Sequence, residues 1–263
     1  RYGPTVGIPR ILDTYARLGI KQSFFIPAWC IEQYPEAVDA ILKGGHEIGH
    51  HGYIHEDPIE TKGEAQERAF LRALDIHVKR IGKKPRGYRA PVYNITQQVI
   101  DLLIAHDFSY ESSLMADDIP YLMQTGTGEL WEAPVHWGTD DWPPFAHYAE
   151  IDYMMPVKSP SDGLKAFWEE FDAQYEAGGF WMGIWHPFLT GRLARWRQQI
   201  AALARALDTV SPLATLDRGY AIVTTQDGRV VQAATTVQRG ERVTARLARE
   251  AREIAGADVY IGG

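Results

Sequence analysis

Four histidines crowd the stretch GHEIGHHGYIHE, residues 45–56: His46, His50, His51 and His55. Imidazoles spaced four apart can share a divalent ion. Such an ion lowers the pKa of a bound water and polarises a carbonyl, so the chemistry indicated is metal-assisted hydrolysis. Two registers overlap here. His46-Glu47-Ile48-Gly49-His50 spells H-E-x-x-H, and His51-Gly52-Tyr53-Ile54-His55 spells a second H-x-x-x-H without a glutamate in frame.

The first register is the signature of zinc peptidases, which need it inside a helix so that both rings face one way. Gly44, Gly45, Gly49 and Gly52 surround it, and each interior glycine costs a helix about 1 kcal/mol. The longer protease pattern, H-E-x-x-H-x-x-G-x-x-H, also fails, because Gly52 and His55 arrive one position early. The second register asks less: His51 and His55 at a strand end and the turn after it, with neutral rings facing a pocket. His46 and His50 then read as packed histidines, and Glu47 as a structural hydrogen-bond partner.

The elements around these residues alternate. Helical periodicity covers 7–19, 34–45, 62–83, 95–108 and 163–179. Short apolar runs read as strands at 21–27, through HEIGHHG, at 85–91, 130–137 and 180–187. Alternation of this kind implies parallel strands covered by helices. The histidine cluster, YRAP (88–91), TDDW (139–142) and WHP (185–187) all fall at carboxyl ends of strands, where such folds gather their chemistry. Trp137, Trp142, Trp181 and Trp185 read equally as a sugar-stacking groove or as core.

Composition excludes several classes. The chain has 263 residues and 45% hydrophobic content, with no apolar run long enough to span a bilayer, so no membrane partner is expected. A lone cysteine, Cys30, allows no internal disulfide and reads as a small packed side chain. Residues 1–191 carry 16 Lys+Arg against 27 Asp+Glu, whereas 192–263 carry 11 Arg, no Lys and 7 Asp+Glu. The net −11 of the body argues against nucleic-acid binding by it, and leaves the question open for the tail. Beyond residue 208 the texture turns β-rich: 218–234 reads as two strands joined through Asp227-Gly228, and 240–248 as a third.

In order along the chain, SFFIP (23–27), GHEIGHHGYIHE, GYRAP (87–91), ELWEAPVHWGTDD (129–141) and WHPFLTGR (185–192) resemble the NodB-homology polysaccharide deacetylases. The type is that of carbohydrate esterase family 4, and the branch the peptidoglycan deacetylase-like one. The likeness runs over residues 1–196. It implies an α/β fold, a distorted (β/α) barrel, here lacking its first strand and followed by a small β-rich appendage over 197–263.

It implies hydrolysis of a carbon–nitrogen bond in an N-acetylated glycan or small amide, with a divalent metal, zinc first and cobalt or another ion next. His51 and His55 match the family's metal histidines. Arg89 would orient a catalytic carboxylate, and a backbone amide near Tyr93 would help hold the oxyanion. Asp140 or Asp141 stands where an acidic residue pairs with that arginine, and His186 would protonate the leaving amine. Trp142 and Trp185 are candidates for substrate contact. A cytoplasmic location is expected, and a homo-oligomer is left open.

Two departures stand out. The family's first strand carries an Asp pair, one the base and one the third metal ligand. RYGPTVGIPRIL (1–12) resembles the segment after that strand, so the expectation is a chain with impaired turnover, or a non-catalytic binding remnant of the fold. The zinc peptidase is the third reading. The tail, 207–248, is instead similar to the carboxyl-terminal segment of the exonuclease VII large subunit, through SPLATLDRGY (211–220) and GERVTARLA (240–248). That family's nuclease residues lie in a core domain with no counterpart here, and the join is expected near Trp196.

Overall fold

The computed structural model describes residues 1–149, 152–197, 222–225, 243–246 and 251–254. The chain divides into two compact units, Arg1–Ile200 and Ala201–Gly263.

In the first unit, a π-helical turn at Gly3–Gly7 runs into α1, Ile8–Leu18. Apolar residues at helical spacing bury one face of α1, with Ile8, Ile11 and Tyr15 inside. β1 (Ser23–Ile26) leads to α2 (Ala28–Gln33) and α3 (Pro35–Lys43), then to β2 (Glu47–His50). α4 (Glu64–Ile81) precedes β3 (Gly87–Tyr88) and a single 3-10 turn at Pro91–Tyr93. α5 (Gln97–Ala105) begins where the Thr96 hydroxyl accepts from the Val99 amide. Then come β4 (Tyr110–Glu111), β5 (Tyr121–Gln124), β6 (Glu129–Glu132), a 3-10 turn at Trp137–Thr139, α6 (Trp142–Phe145) and α7 (Pro160–Ala177).

The strands form one sheet in the order β1-β2-β3-β4-β6-β5, parallel throughout except for the hairpin of β5 against β6. Ile26 lies opposite His50, His50 opposite Tyr88, and Glu111 opposite Glu132. The next residues along β2 and β3 are therefore His51 and Arg89, side by side at the same sheet end. Close strand approach needs glycine at two points. A Cβ on Gly49 would lie 2.6 Å from the Phe25 ring, and one on Gly87 2.1 Å from the Tyr110 ring. Phe70 and Leu74 of α4, Val99 and Leu103 of α5, and Tyr88 and Leu130 of the sheet make the main core. Phe145, Leu164, Phe167 and Leu189 make a second one beneath the last strand end.

HEIGH is strand and not helix, which removes the geometry a zinc peptidase needs. Glu47 accepts from the Tyr110 hydroxyl at 2.9 Å. His46 packs against Tyr15 and Phe24. The His50 ring is fully buried, with one nitrogen facing the Phe70 carbonyl and the other the Gly52 amide. Burial first, then the neighbouring His77, holds its pKa down to about 3. The ring of His77 stacks on it at 5.4 Å.

The sheet departs from the periodicity in three places. β4 has two residues, too few to show a period. β5, YLMQ, is only four residues long and alternates half-buried with exposed positions, and it is not among the expected strands. The segment 180–187 reads as a strand, yet among the described residues only Ile184 pairs, in a parallel bridge with Asp140. Its aromatic residues face α7 instead.

The second unit contains an antiparallel sheet, β7 (Ile222–Thr225), β8 (Val243–Arg246) and β9 (Ala251–Ile254), in that order. β8 falls in the expected third strand. The partner expected across Asp227-Gly228 lies outside the described residues. β9 lies beyond the three runs expected from the sequence pattern. Among the described residues no helix is long and apolar enough to cross a membrane.

Candidate active site

His51 leaves β2 with its Nδ1 2.7 Å from the Arg89 carbonyl. A carbonyl only accepts, so Nδ1 carries the proton and Nε2 keeps its lone pair. The loop then doubles back because the Glu56 carboxylate accepts from the amides of Tyr53 and Ile54. That turn brings His55 to His51, with ring centroids 4.8 Å apart and planes at 78°. His55 holds a left-handed backbone, φ 69°, a strained state characteristic of functional positions. Burial, then the charge of His55, keeps the His51 pKa well below its ordinary value. Burial, then the charge of His186, lowers that of His55. Both rings are therefore neutral donors.

Arg89 follows β3. Its Nε donates to the Ser112 carbonyl at 2.8 Å and its Nη2 to the Ser112 hydroxyl at 2.6 Å, while the guanidinium lies 4.5 Å over the Phe25 ring. Those hydrogen bonds go to the end of β4, and Asp140 reaches Arg89 only as a neighbouring charge. After Pro91 the chain turns through two left-handed residues, Val92 at φ 58° and Tyr93 at φ 61°. This aims the Tyr93 hydroxyl at Asp140 Oδ2, to which it donates. The Tyr93 amide itself is bound to the Ala90 carbonyl at 3.1 Å.

Asp140 and Asp141 are buried, 2% and 0% exposed, at the end of the turn after β6. The Asp140–Ile184 bridge locks them to the segment carrying His186: the Asp141 amide donates to the Ile184 carbonyl, and the Ile184 amide to that of Thr139. Asp141 accepts from the His186 amide at 2.9 Å, from His186 Nδ1 at 2.6 Å and from the Thr190 hydroxyl. Burial disfavours the charged His186 ring, but the hydrogen bond and charge of Asp141, then the charge of Asp140, outweigh it and raise the pKa. Burial also raises that of Asp140, against the pull of His186 and Tyr93. With Nδ1 held by Asp141, His186 presents Nε2 outward. The result is an acid–base pair, its carboxylate buried and its imidazole part-exposed, beside two neutral imidazoles.

The ligand atoms of Asp140, Asp141 and His186 lie within 4.8 Å of one another, the one such group of three among the described residues. The lone pairs of Asp141 are already taken up by donors, so this group suits proton handling better than ion binding. No third histidine, cysteine or carboxylate joins His51 and His55 among those residues.

Trp142 stands 5.4 Å from the His186 ring and borders a cavity of about 550 Å³ that Phe188, Arg192 and Arg195 also line. Trp185 stacks on Phe167 of α7 at 4.5 Å, a core position. Trp137 packs edge-on against Tyr93 at 4.7 Å and is 44% exposed. The sequence reading missed Glu56 and Thr190. Thr190 lies four residues after His186, a spacing that could have found it.

The profile of the family described as "Polysaccharide deacetylase" matches residues 2–111, and that of "Exonuclease VII, large subunit" matches residues 183–255. The peptidoglycan deacetylase of Helicobacter pylori is 30% identical over 214 residues, 71% of this chain and 73% of that protein. The crystal structure of a polysaccharide deacetylase-family protein from Mycobacterium smegmatis superposes with a TM-score of 0.74 at 32% identity, covering 78% of this chain and 72% of the other. The tail is 52% identical over 58 residues to the exodeoxyribonuclease 7 large subunit of Xanthomonas oryzae pv. oryzae, 22% of this chain but 13% of that one.

Proposed function

Since the chain belongs to the polysaccharide deacetylase family, whose members are hydrolases of non-peptide carbon–nitrogen bonds on a distorted (β/α) barrel, we propose that it removes an acetyl group from the nitrogen of a glycan such as peptidoglycan, with a divalent metal at His51 and His55. The observation carrying this reading is that a part-exposed His186 held by the buried Asp141 and two neutral imidazoles stand at one end of one sheet.

Zinc is the first candidate, because two neutral imidazoles suit a borderline-soft ion. When bound it supplies Lewis acidity and an acidified water. The chain's own residues do the rest. His186 enters protonated and gives a proton from Nε2 to the departing amide nitrogen, a poor leaving group otherwise. Asp141 holds the ring in that orientation and stabilises its charge. Asp140, with Tyr93 donating to it, is the remaining carboxylate able to take a proton. Trp142 and the cavity beside it receive the sugar.

Slow turnover is part of the proposal. His51 and His55 lack a third protein ligand among the described residues, and Asp140 is buried with both oxygens engaged. The same observation favours a second reading, a binding module that keeps the fold without turnover.

Calorimetric titration with zinc of the wild type, His46→Ala, His51→Ala and His55→Ala separates these readings when combined with acetate release from N-acetylglucosamine oligomers. We expect binding weakened at least about tenfold by His51→Ala or His55→Ala and unchanged by His46→Ala. Acetate release should fall by roughly a hundredfold in His186→Ala. Zinc binding without any acetate release would support the binding module; loss with His46→Ala would overturn the metal assignment.

A further inference from the structure

Glu111 and Glu132 face each other on adjacent strands, each 0% exposed. Two bare carboxylates on adjacent strands at that depth repel one another and lose their hydration, so one must hold a proton. The hydrogen bonds identify which. Glu111 accepts at both oxygens, from the Ser113 hydroxyl and the Ser113 amide. Glu132 Oε1 accepts from the amides of Ser113 and Leu114, both at 3.0 Å. Glu132 Oε2 is buried and nothing donates to it. An oxygen left so is costly as an acceptor and costs nothing as a hydroxyl donating to Glu111. Burial, then the hydrogen bond and charge of Glu111, correspondingly pushes Glu132 up to about 10.

The pair also lies under the site. Ser113 passes the Glu111 contact on, since its hydroxyl accepts from the Ala90 amide at 2.8 Å. The adjacent Ser112 holds the Arg89 guanidinium, and the Arg89 carbonyl fixes the His51 ring. We propose that Glu111 and Glu132 share a single proton carried on Glu132 Oε2, and that this acid–carboxylate pair positions Arg89, Ala90 and, through them, His51. The positioning role rests on the metal assignment above; the shared proton does not. The other ionisable groups facing the pair are Tyr88, Arg89 and Tyr121.

Infrared spectroscopy of the full chain near pH 8 tests the proton. The wild type should show a buried protonated-carboxyl stretch that Glu132→Gln abolishes, the amide keeping the donor to Glu111. No such band, or one that survives in Glu132→Gln, overturns the shared proton. Zinc affinity tests the positioning: Glu132→Ala should weaken it about tenfold, and Glu132→Gln should restore it. Equal affinity in all three proteins overturns the positioning role. A wild type that binds no zinc overturns both that role and the metal assignment, while the infrared band still decides the proton.

Discussion

Asp141 does three things at once: it orients His186, raises its pKa, and ties its backbone to the segment after Ile184. Asp141→Asn keeps the shape and removes the charge. The His186 pKa should fall, and the alkaline limb of the pH–rate profile should move to lower pH. The sign for stability follows from the same shift. The folded pKa lies above the unfolded value of 6.5, so the stabilisation is fully present below about pH 6.5 and lost as pH rises through the folded pKa. Chemical denaturation should therefore find Asp141→Asn more destabilised at pH 6 than at pH 9. A uniform loss at both pH values would show that Asp141 acts through packing alone.

The elements bring these residues together by register, and register is where the sequence was most and least informative. HEIGHHG and GYRAP were legible as strand ends, because glycines flank short apolar runs between amphipathic helices. The parallel order then places His51 beside Arg89 without further information. The turn after Pro91 was not legible: nothing in the letters PVY announces two left-handed residues, one of them β-branched. Val92→Gly should relieve that strain and raise stability by about 1 kcal/mol, measured by denaturant unfolding. It should also lower any acetate release, because Tyr93 would be freer to leave Asp140. Gly87→Ala tests the register directly. Its Cβ would sit 2.1 Å from the Tyr110 ring, so the melting temperature should drop, by about 1–3 kcal/mol of stability. Nor did the sequence show the partner of Arg89, because the family pattern drew attention to Asp140 while Ser112 supplied the closer acceptors.

At the scale of the molecule, Glu132 and His186 respond to alkali in the same direction. Glu132 is ordinarily ionised above about pH 4.5 in an unfolded chain and stays protonated in the fold up to about 10. Stability should fall across that window, by at most about 1.4 kcal/mol per pH unit for one proton. Glu132→Gln removes the titration, so a melting-temperature series from pH 5 to 9 should be flatter in that variant. An unchanged slope would mean that the proton is not confined to the fold.

The bridge between Asp140 and Ile184 carries one last implication. Backbone groups pair the two strand ends at Asp140 and Ile184: an amide of Asp141 to a carbonyl of Ile184, and an amide of Ile184 to a carbonyl of Thr139. Main-chain groups thus carry the chain as far as Ile184, and only the last step, to the proton donor itself, depends on a side chain, Asp141. The side chain at position 186 can therefore change while the bridge keeps the two strand ends in place, whereas the one at 141 is part of the frame, because its carboxylate holds the His186 amide and the Thr190 hydroxyl.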